Sequence, residues 1–203
     1  MRSGLQTIEP EGVVGDVELL DPGEPVLATQ AALYAARPMP GARTACPGCG
    51  LCLAVLDGPT HPYTGASAAC WACYGHALER AYSDPVCRDV LQLAVDAYAC
   101  QHPGEPGWRS AQSVGIHLMT LCMVLEGGAD PREGPKLHKR MVARPAFTWL
   151  EPPTDRGAIT VDALVGTSQG AYVDTVWAWA RAVWDAWAPH HGTVRAWIGP
   201  SLD

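Results

Sequence analysis

Two pairs of cysteines have the spacing of a metal site. Cys46 and Cys49 lie in the sequence CPGCG, and Cys70 and Cys73 lie in CWAC after 20 intervening residues. Proline and glycine let the first segment turn tightly, so both thiolates can point to one side. Residues i and i+3 share a helix face, so the second pair can reach the same ion. The pattern C-x2-C-x20-C-x2-C is close to that of a structural zinc site with four thiolates.

Zinc is the metal that this pattern favours, since iron clusters usually have other cysteine spacings. A tight turn followed by ligands in the first turns of a helix is typical of treble-clef zinc folds. Cys52 lies close enough to the turn to replace one ligand. The alternative is that the cysteines are reduced and buried as small hydrophobic residues. We interpret Cys87, Cys100 and Cys122 in this way, because they lie on apolar helical segments.

An aspartate and a histidine lie inside apolar segments that must pack together. Asp96 occurs in LAVDAYA and His117 in VGIHLM. If successive helices form antiparallel hairpins, these two side chains meet, and His102 lies about one turn beyond the level of Cys70. Buried polar groups need partners, so we expect a structural hydrogen bond between Asp96 and His117. The functional alternative is a proton-transfer pair beside a zinc-bound water. His102 can also replace Cys73 as the fourth zinc ligand.

The helical segments predict a mainly α-helical bundle. Ser67 can cap the first helix, Asp84 the second and Ser168 the last, and an apolar stripe of helical period follows each of them. A further helix should begin near Ser110. Four helices joined by short loops favour a bundle that carries the zinc knuckle at its N-terminal end.

The chain should form a single folded domain with an N-terminal extension. Its 203 residues are 48% hydrophobic and 17% charged, which supplies a core and excludes extensive disorder. Residues 1–45 show little periodicity, so we predict an irregular N-terminal arm there. Residues 46–203 should form one domain that combines the zinc knuckle and the bundle.

Several classes of function are not indicated. No apolar run reaches the roughly 18 residues of a membrane span. The first residues lack a secretory signal, which predicts a cytoplasmic protein with reduced thiols. The net charge of −7 gives no reason to expect a nucleic-acid surface. Phosphate-binding glycine loops, a GxSxG elbow and an HExxH helix do not occur in the sequence.

The tryptophan-rich C-terminal helix offers a second candidate site. Eight tryptophans against one phenylalanine is an unusual ratio, although a stripe of helical period mainly indicates core packing. The alternative is a pocket for an anionic or aromatic ligand, lined by Trp184, Trp187, His191 and Arg195.

One short block holds the densest basic residues of the chain. We interpret it as a solvated helix face. Its members are Lys136, His138, Lys139, Arg140 and Arg144.

Several segments resemble a family of small bacterial proteins that is defined only as a domain of unknown function. They are CPGCG, CWACYGHALERAYSD, VDAYACQHPG, QSVGIHLMTLCMVLEGG and VWAWARAVWDAWAPHHGTVRAWI. The resemblance extends from about residue 46 to 198 and supports the fold unit, but it implies no activity, substrate or proven metal. The family pattern is usually apolar at the position of Cys73, whereas Cys46, Cys49, Cys70 and His102 match it. The resemblance therefore favours His102 over Cys73.

Two functions remain. In the first, the zinc is structural and the protein is a module that binds a small molecule or another protein. In the second, the protein is a zinc-dependent enzyme that acts on a small molecule, with Asp96 and His117 as its catalytic proton-transfer pair. The number of protein ligands separates them, because four close the site and three leave a position for water. We favour the first.

Overall fold

The computed structural model describes residues 37–142 and 147–199. Within these ranges the chain forms a two-stranded hairpin followed by seven α-helices, so the predicted mainly α-helical fold is confirmed. Residues 1–36 of the predicted N-terminal arm lie outside the described residues. The last nine residues of that arm are a strand, because the chain on the far side of the knuckle supplies backbone hydrogen-bond partners.

The hairpin surrounds the CPGCG turn. Strand β1 (Arg37–Ala45) pairs antiparallel with strand β2 (Cys52–Asp57), and Ala45 lies opposite Cys52 next to the turn. The Cys46 amide donates to the Leu51 carbonyl at 2.9 Å, which closes the turn. Gly50 has a φ of +76°, a left-handed conformation that favours glycine. The sequence CPGCG therefore forms the predicted knuckle.

The seven helices of the described ranges follow the hairpin in chain order. They are α1 (Ala68–Ser83), α2 (Pro85–Arg88), α3 (Leu91–Gln101), α4 (Trp108–Leu125), α5 (Gly134–Val142), α6 (Gln169–Ala186) and α7 (His191–Ile198). Short 3-10 turns lie at Pro131–Glu133, Val161–Leu164 and Ala188–His190.

The predicted N-caps are present. The Ser67 hydroxyl accepts a hydrogen bond from the Cys70 amide, and Ser168 caps α6 in the same way. Asp84 caps α2, but the predicted second helix is broken after one turn. The break occurs because the Val90 amide donates to the Cys87 carbonyl, a tight turn that directs both of these side chains into the core.

Helix α3 lies at the centre of the domain. It packs against α1, α4, α5 and α6, and it is apolar on almost every side, as expected for a helix enclosed by others. Its polar side chains Asp96 and Gln101, and His102 just after it, are fully buried and need internal partners. The candidate sites are built around these residues. No helix in the described ranges is long and apolar enough to cross a membrane.

Candidate metal centre

Three segments bring four ligand atoms together, and we call this group the Cys/His cluster. Cys46 and Cys49 come from the hairpin turn, Cys70 from the first turn of α1, and His102 from the end of α3. All four ligand atoms lie within 4.8 Å of one another. Cys49 Sγ lies 3.8 Å from Cys70 Sγ, which lies 3.3 Å from His102 Nε2. These residues could hold one metal ion.

Neighbouring groups orient the ligands of the Cys/His cluster. His102 Nδ1 donates to the Tyr98 carbonyl at 2.8 Å, which turns Nε2 toward the sulfurs. The Ser67 amide donates to Cys46 Sγ at 3.4 Å, and the Tyr98 hydroxyl donates to Cys70 Sγ at 3.8 Å. Such outer contacts fix ligand orientation in metal sites.

Two glycines allow the turn to approach α3 closely. A Cβ on Gly48 would lie 2.3 Å from His102 Cδ2 and 2.9 Å from the Gly65 carbonyl oxygen. A Cβ on Gly65 would lie 2.6 Å from the Pro103 carbonyl oxygen. The Gly65 amide also donates to the His102 carbonyl at 3.0 Å. Glycine at both positions is therefore a steric requirement of this site.

The three thiols strongly shift one another's pKa. Hydrogen bonds from the Cys49 and Cys70 thiols hold the pKa of Cys46 far below its usual value. The same contacts with Cys46 and Cys49, together with burial, raise the pKa of Cys70 far above its usual value. Without a cation, one thiolate therefore suppresses ionisation of its neighbours. A bound metal ion removes that conflict, because it deprotonates each thiol that it coordinates.

A half-buried arginine lies beside the knuckle. Arg156 Nη1 donates to the carbonyl oxygens of Gly48 at 2.9 Å and Pro47 at 3.4 Å. Burial lowers the pKa of Arg156, and the Cys46 and Cys49 thiolates oppose that change. Three thiolates and a divalent ion would carry a net charge of −1, which the guanidinium could balance.

His102, and not Cys73, completes the group of four. Cys73 lies one turn beyond Cys70, about 60° away around the helix, and it is half-buried near the Val161–Leu164 turn. Burial and the Asp162 carboxylate raise the pKa of the Cys73 thiol, which opposes the thiolate form that a metal needs. Cys52 is exposed on β2 and is also outside the group. Cys87, Cys100 and Cys122 are buried, as predicted.

A second group, the Asp/His cluster, lies farther along α3. Asp96 and His117 form the predicted hydrogen bond, with His117 Nδ1 2.7 Å from Asp96 Oδ1. His138 from α5 joins them, with Nε2 3.0 Å from the same oxygen. The ligand atoms of the three residues lie within 4.8 Å of one another. Their catalytic role stays a prediction.

The interpretation of the basic block as a solvated face is wrong for His138. Lys136, Lys139 and Arg140 are exposed, and Arg144 lies outside the described residues. His138 is buried with its neighbour Leu137 and with Met141, because this face of α5 packs on α3 and α4. The helical spacing of Leu137 and Met141 is the sequence signal that could have placed His138 on the inner face.

A small cavity lies next to the Asp/His cluster. Its volume is about 40 Å³. The cavity is lined by His117 and His138 together with aromatic side chains, which include Trp71, Tyr74 and Tyr98. The Tyr98 ring also stacks on His102 with 4.0 Å between ring centroids, so it separates the cavity from the Cys/His cluster.

A family model described as a family of unknown function, DUF5946, matches residues 44–188. The chain belongs to this family. The region shared with DUF5946 extends from the end of β1 to just beyond α6, so it contains every residue of both clusters. No curated protein and no solved structure shows significant similarity to the chain.

The predicted tryptophan-lined pocket lies partly beyond the region matched by DUF5946. Trp184 stacks on His191 with 3.7 Å between ring centroids, and its indole N–H donates to Glu126 at 3.0 Å. Arg195 forms an ion pair with the same glutamate at 2.7 Å. Trp187 is buried, and its indole N–H donates to the Cys100 carbonyl. These groups therefore have partners within the protein, and their role in ligand binding stays a prediction.

Proposed function

We propose that the Cys/His cluster binds one structural zinc ion and that the protein is a binding module. The proposal rests on one observation, the convergence of four ligand atoms from the protein within 4.8 Å. A zinc ion with four protein ligands has no position for substrate, and such sites contribute mainly to folding.

The distances in the cluster support zinc. In a tetrahedral site with Zn–S near 2.3 Å and Zn–N near 2.0 Å, sulfurs lie about 3.8 Å apart and a sulfur and a nitrogen about 3.5 Å apart. The Cys49–Cys70 distance is 3.8 Å and the Cys70–His102 distance is 3.3 Å. Three thiolates and one imidazole are also a ligand set that zinc favours.

A structural role is supported by the segments that the zinc ion would connect. A two-stranded hairpin is marginally stable alone, and here the strands pack mainly on each other, with β2 also packing on α1. Zinc joins the turn of that hairpin to α1 and to the end of α3. Its binding free energy would therefore stabilise the packing of the hairpin on the helices.

The cavity is the feature that supports a binding role. It has aromatic walls with three histidines, His61 among them, a combination that suits a small molecule carrying a polar group. The alternative is an enzyme in which Asp96 and His117 transfer a proton. Their 2.7 Å contact supports it. A closed Cys/His cluster, however, would provide no zinc-bound water for that chemistry.

Substitution of one ligand tests the structural role. We expect Cys49→Ser to lose one equivalent of zinc relative to wild type, measured by elemental analysis of reduced protein. Its melting temperature should fall by about 10 °C or more, because loss of a structural ion costs several kcal/mol. The matched control is Cys52→Ser, a change in an exposed cysteine of the same hairpin, which should retain both values.

Two results would contradict a structural role for zinc. If Cys49→Ser keeps the zinc content and melting temperature of the wild type, the cluster does not bind a structural ion. Removal of zinc from the wild type by a chelator should reproduce the loss of stability, and an unchanged melting curve would reject the proposal.

A further inference from the structure

Three helices bring two imidazoles and one carboxylate to a single point. Asp96 comes from α3, His117 from α4 and His138 from α5. Gly134, at the start of α5, allows the close approach, since a Cβ there would lie 2.1 Å from Gln92 Cγ on α3. The fold thus builds the Asp/His cluster from packed helices rather than from a loop.

The two carboxylate oxygens of Asp96 differ in their number of hydrogen-bond partners. Asp96 Oδ1 has three nitrogen neighbours, Gln92 Nε2 at 3.0 Å, His117 Nδ1 at 2.7 Å and His138 Nε2 at 3.0 Å. Asp96 Oδ2 is buried without a partner, the one such side-chain atom in residues 41–142 and 147–199. An unpaired buried oxygen is costly, so this atom indicates that a further group binds here.

The charges of the cluster also favour a cation. Asp96 is fully buried, and a buried carboxylate needs a partner of opposite charge. Among the residues that the structure describes, histidines are the ion-pair partners of Asp96, and no lysine or arginine is.

We propose that Asp96, His117 and His138 bind a second metal ion, a divalent first-row transition metal. Two imidazoles and one carboxylate are a common ligand set for iron(II) and for catalytic zinc. Ligands about 2.1 Å from one ion lie roughly 3–3.5 Å apart, close to the separations found here. The proposal does not depend on zinc in the Cys/His cluster.

This second site differs from the Cys/His cluster because three protein ligands leave coordination positions open. Both histidines line the cavity, so these positions are accessible to a molecule bound there. The volume of about 40 Å³ holds roughly three water-sized groups. We infer that the ion takes a small ligand with an oxygen donor, held against Trp71 and Tyr74.

Cobalt(II) is a suitable probe because the two clusters have different ligands. Thiolate ligands give cobalt an intense charge-transfer absorption, whereas imidazole and carboxylate ligands do not. The full chain is stripped with a chelator under reducing conditions and titrated with Co²⁺. We expect two equivalents to bind, one with the thiolate absorption and one without it.

A histidine substitution assigns the second equivalent. His138→Gln should bind one equivalent, keep the thiolate absorption and keep the wild-type circular dichroism spectrum, since glutamine preserves a hydrogen-bond donor near Asp96. The control is His76→Gln, a change in an exposed histidine on α1, which should still bind two equivalents. X-ray absorption of the doubly loaded wild type provides a measurement that needs no variant, and the second equivalent should add only nitrogen and oxygen neighbours.

The proposal is overturned if the wild type binds no equivalent of Co²⁺ beyond the one with the thiolate absorption, if His138→Gln binds as many equivalents as the wild type, or if the second equivalent has sulfur neighbours. Failure of the proposed structural site is a separate result, since it would appear as loss of the thiolate absorption. The two proposals therefore fail in distinguishable ways.

Discussion

Single atoms decide how the knuckle meets α3. The absent side chain of Gly48 is the clearest case, because a methyl group there would overlap His102 and the Gly65 carbonyl. We predict that Gly48→Ala displaces the His102 ring and lowers zinc affinity by about 10- to 100-fold, the range typical of changes to groups that orient a ligand. Competition with a chromophoric chelator measures this affinity.

The control for that substitution is Gly170→Ala, near the start of α6, where a Cβ would meet open space. It should leave zinc affinity unchanged. Wild-type affinity in Gly48→Ala would mean that the turn can move away from His102 at no cost to the site.

The cysteine pair of the turn was easier to predict than the fourth ligand. The turn at Cys46 and Cys49 follows from proline, glycine and cysteine in five consecutive residues. The choice between Cys73 and His102 depends on how α1 is rotated and on where α3 ends, which are properties of tertiary packing. His138 was missed because three basic neighbours concealed the apolar face that it shares with Leu137 and Met141.

At the scale of elements, Glu126 joins the end of α4 to α6 and α7. It accepts hydrogen bonds from Arg195 Nη2 at 2.7 Å and from the Trp184 indole at 3.0 Å. The bonds from Arg195, and then that from Trp184, lower the pKa of Glu126 to about 2, although burial opposes them. The folded-state pKa is below the unfolded value, so this stabilisation is complete above about pH 4.5 and is lost as the pH falls toward 2.

We therefore predict that Glu126→Gln lowers the melting temperature at pH 7 by roughly 2–4 °C, since the pair is partly exposed and screened by solvent. The difference from wild type should shrink as the pH falls below about 4.5. Thermal unfolding at several pH values measures it. Glu133→Gln removes an exposed partner of Lys136 and should show no comparable pH dependence, and an equal effect in both variants would contradict the assignment.

Helix N-caps were predicted well, whereas several contacts between elements were not. Ser67, Asp84 and Ser168 cap helices because their side chains reach amides two or three residues away, which is local information. Gln101 shows the opposite case. It donates to the Ile159 carbonyl and accepts from the Trp179 indole, so it ties a segment 58 residues away to α3. Nothing in the neighbouring sequence indicates these partners.

The reactivity of the eight cysteine thiols should depend on whether metal is bound. Cys52 is exposed, whereas the buried cysteines of α2, α3 and α4 are shielded whether or not metal is bound. In native protein with zinc we predict that a thiol reagent modifies Cys52 rapidly, with slower reaction at half-buried Cys73. After chelation the three sulfur ligands of the Cys/His cluster should react as well.

Stopped-flow thiol counting before and after chelation measures this change, which should raise the number of rapidly reacting thiols from about one to at least four, one exposed cysteine plus three ligands. In Cys52→Ser the first count should fall by one and the increase should remain. An increase of zero would show that metal does not protect the sulfurs.

The four ligands of the Cys/His cluster are unequally covered. Cys46, Cys70 and His102 are buried, whereas Cys49 is half-buried at the outer side of the turn. An incoming competitor would therefore meet the Cys49 sulfur first, and the departing ion would exchange one bond at a time from that side. The lifetime of a bound ion would then depend on access to the Cys49 sulfur, so the rate of metal exchange and the metal affinity could vary separately.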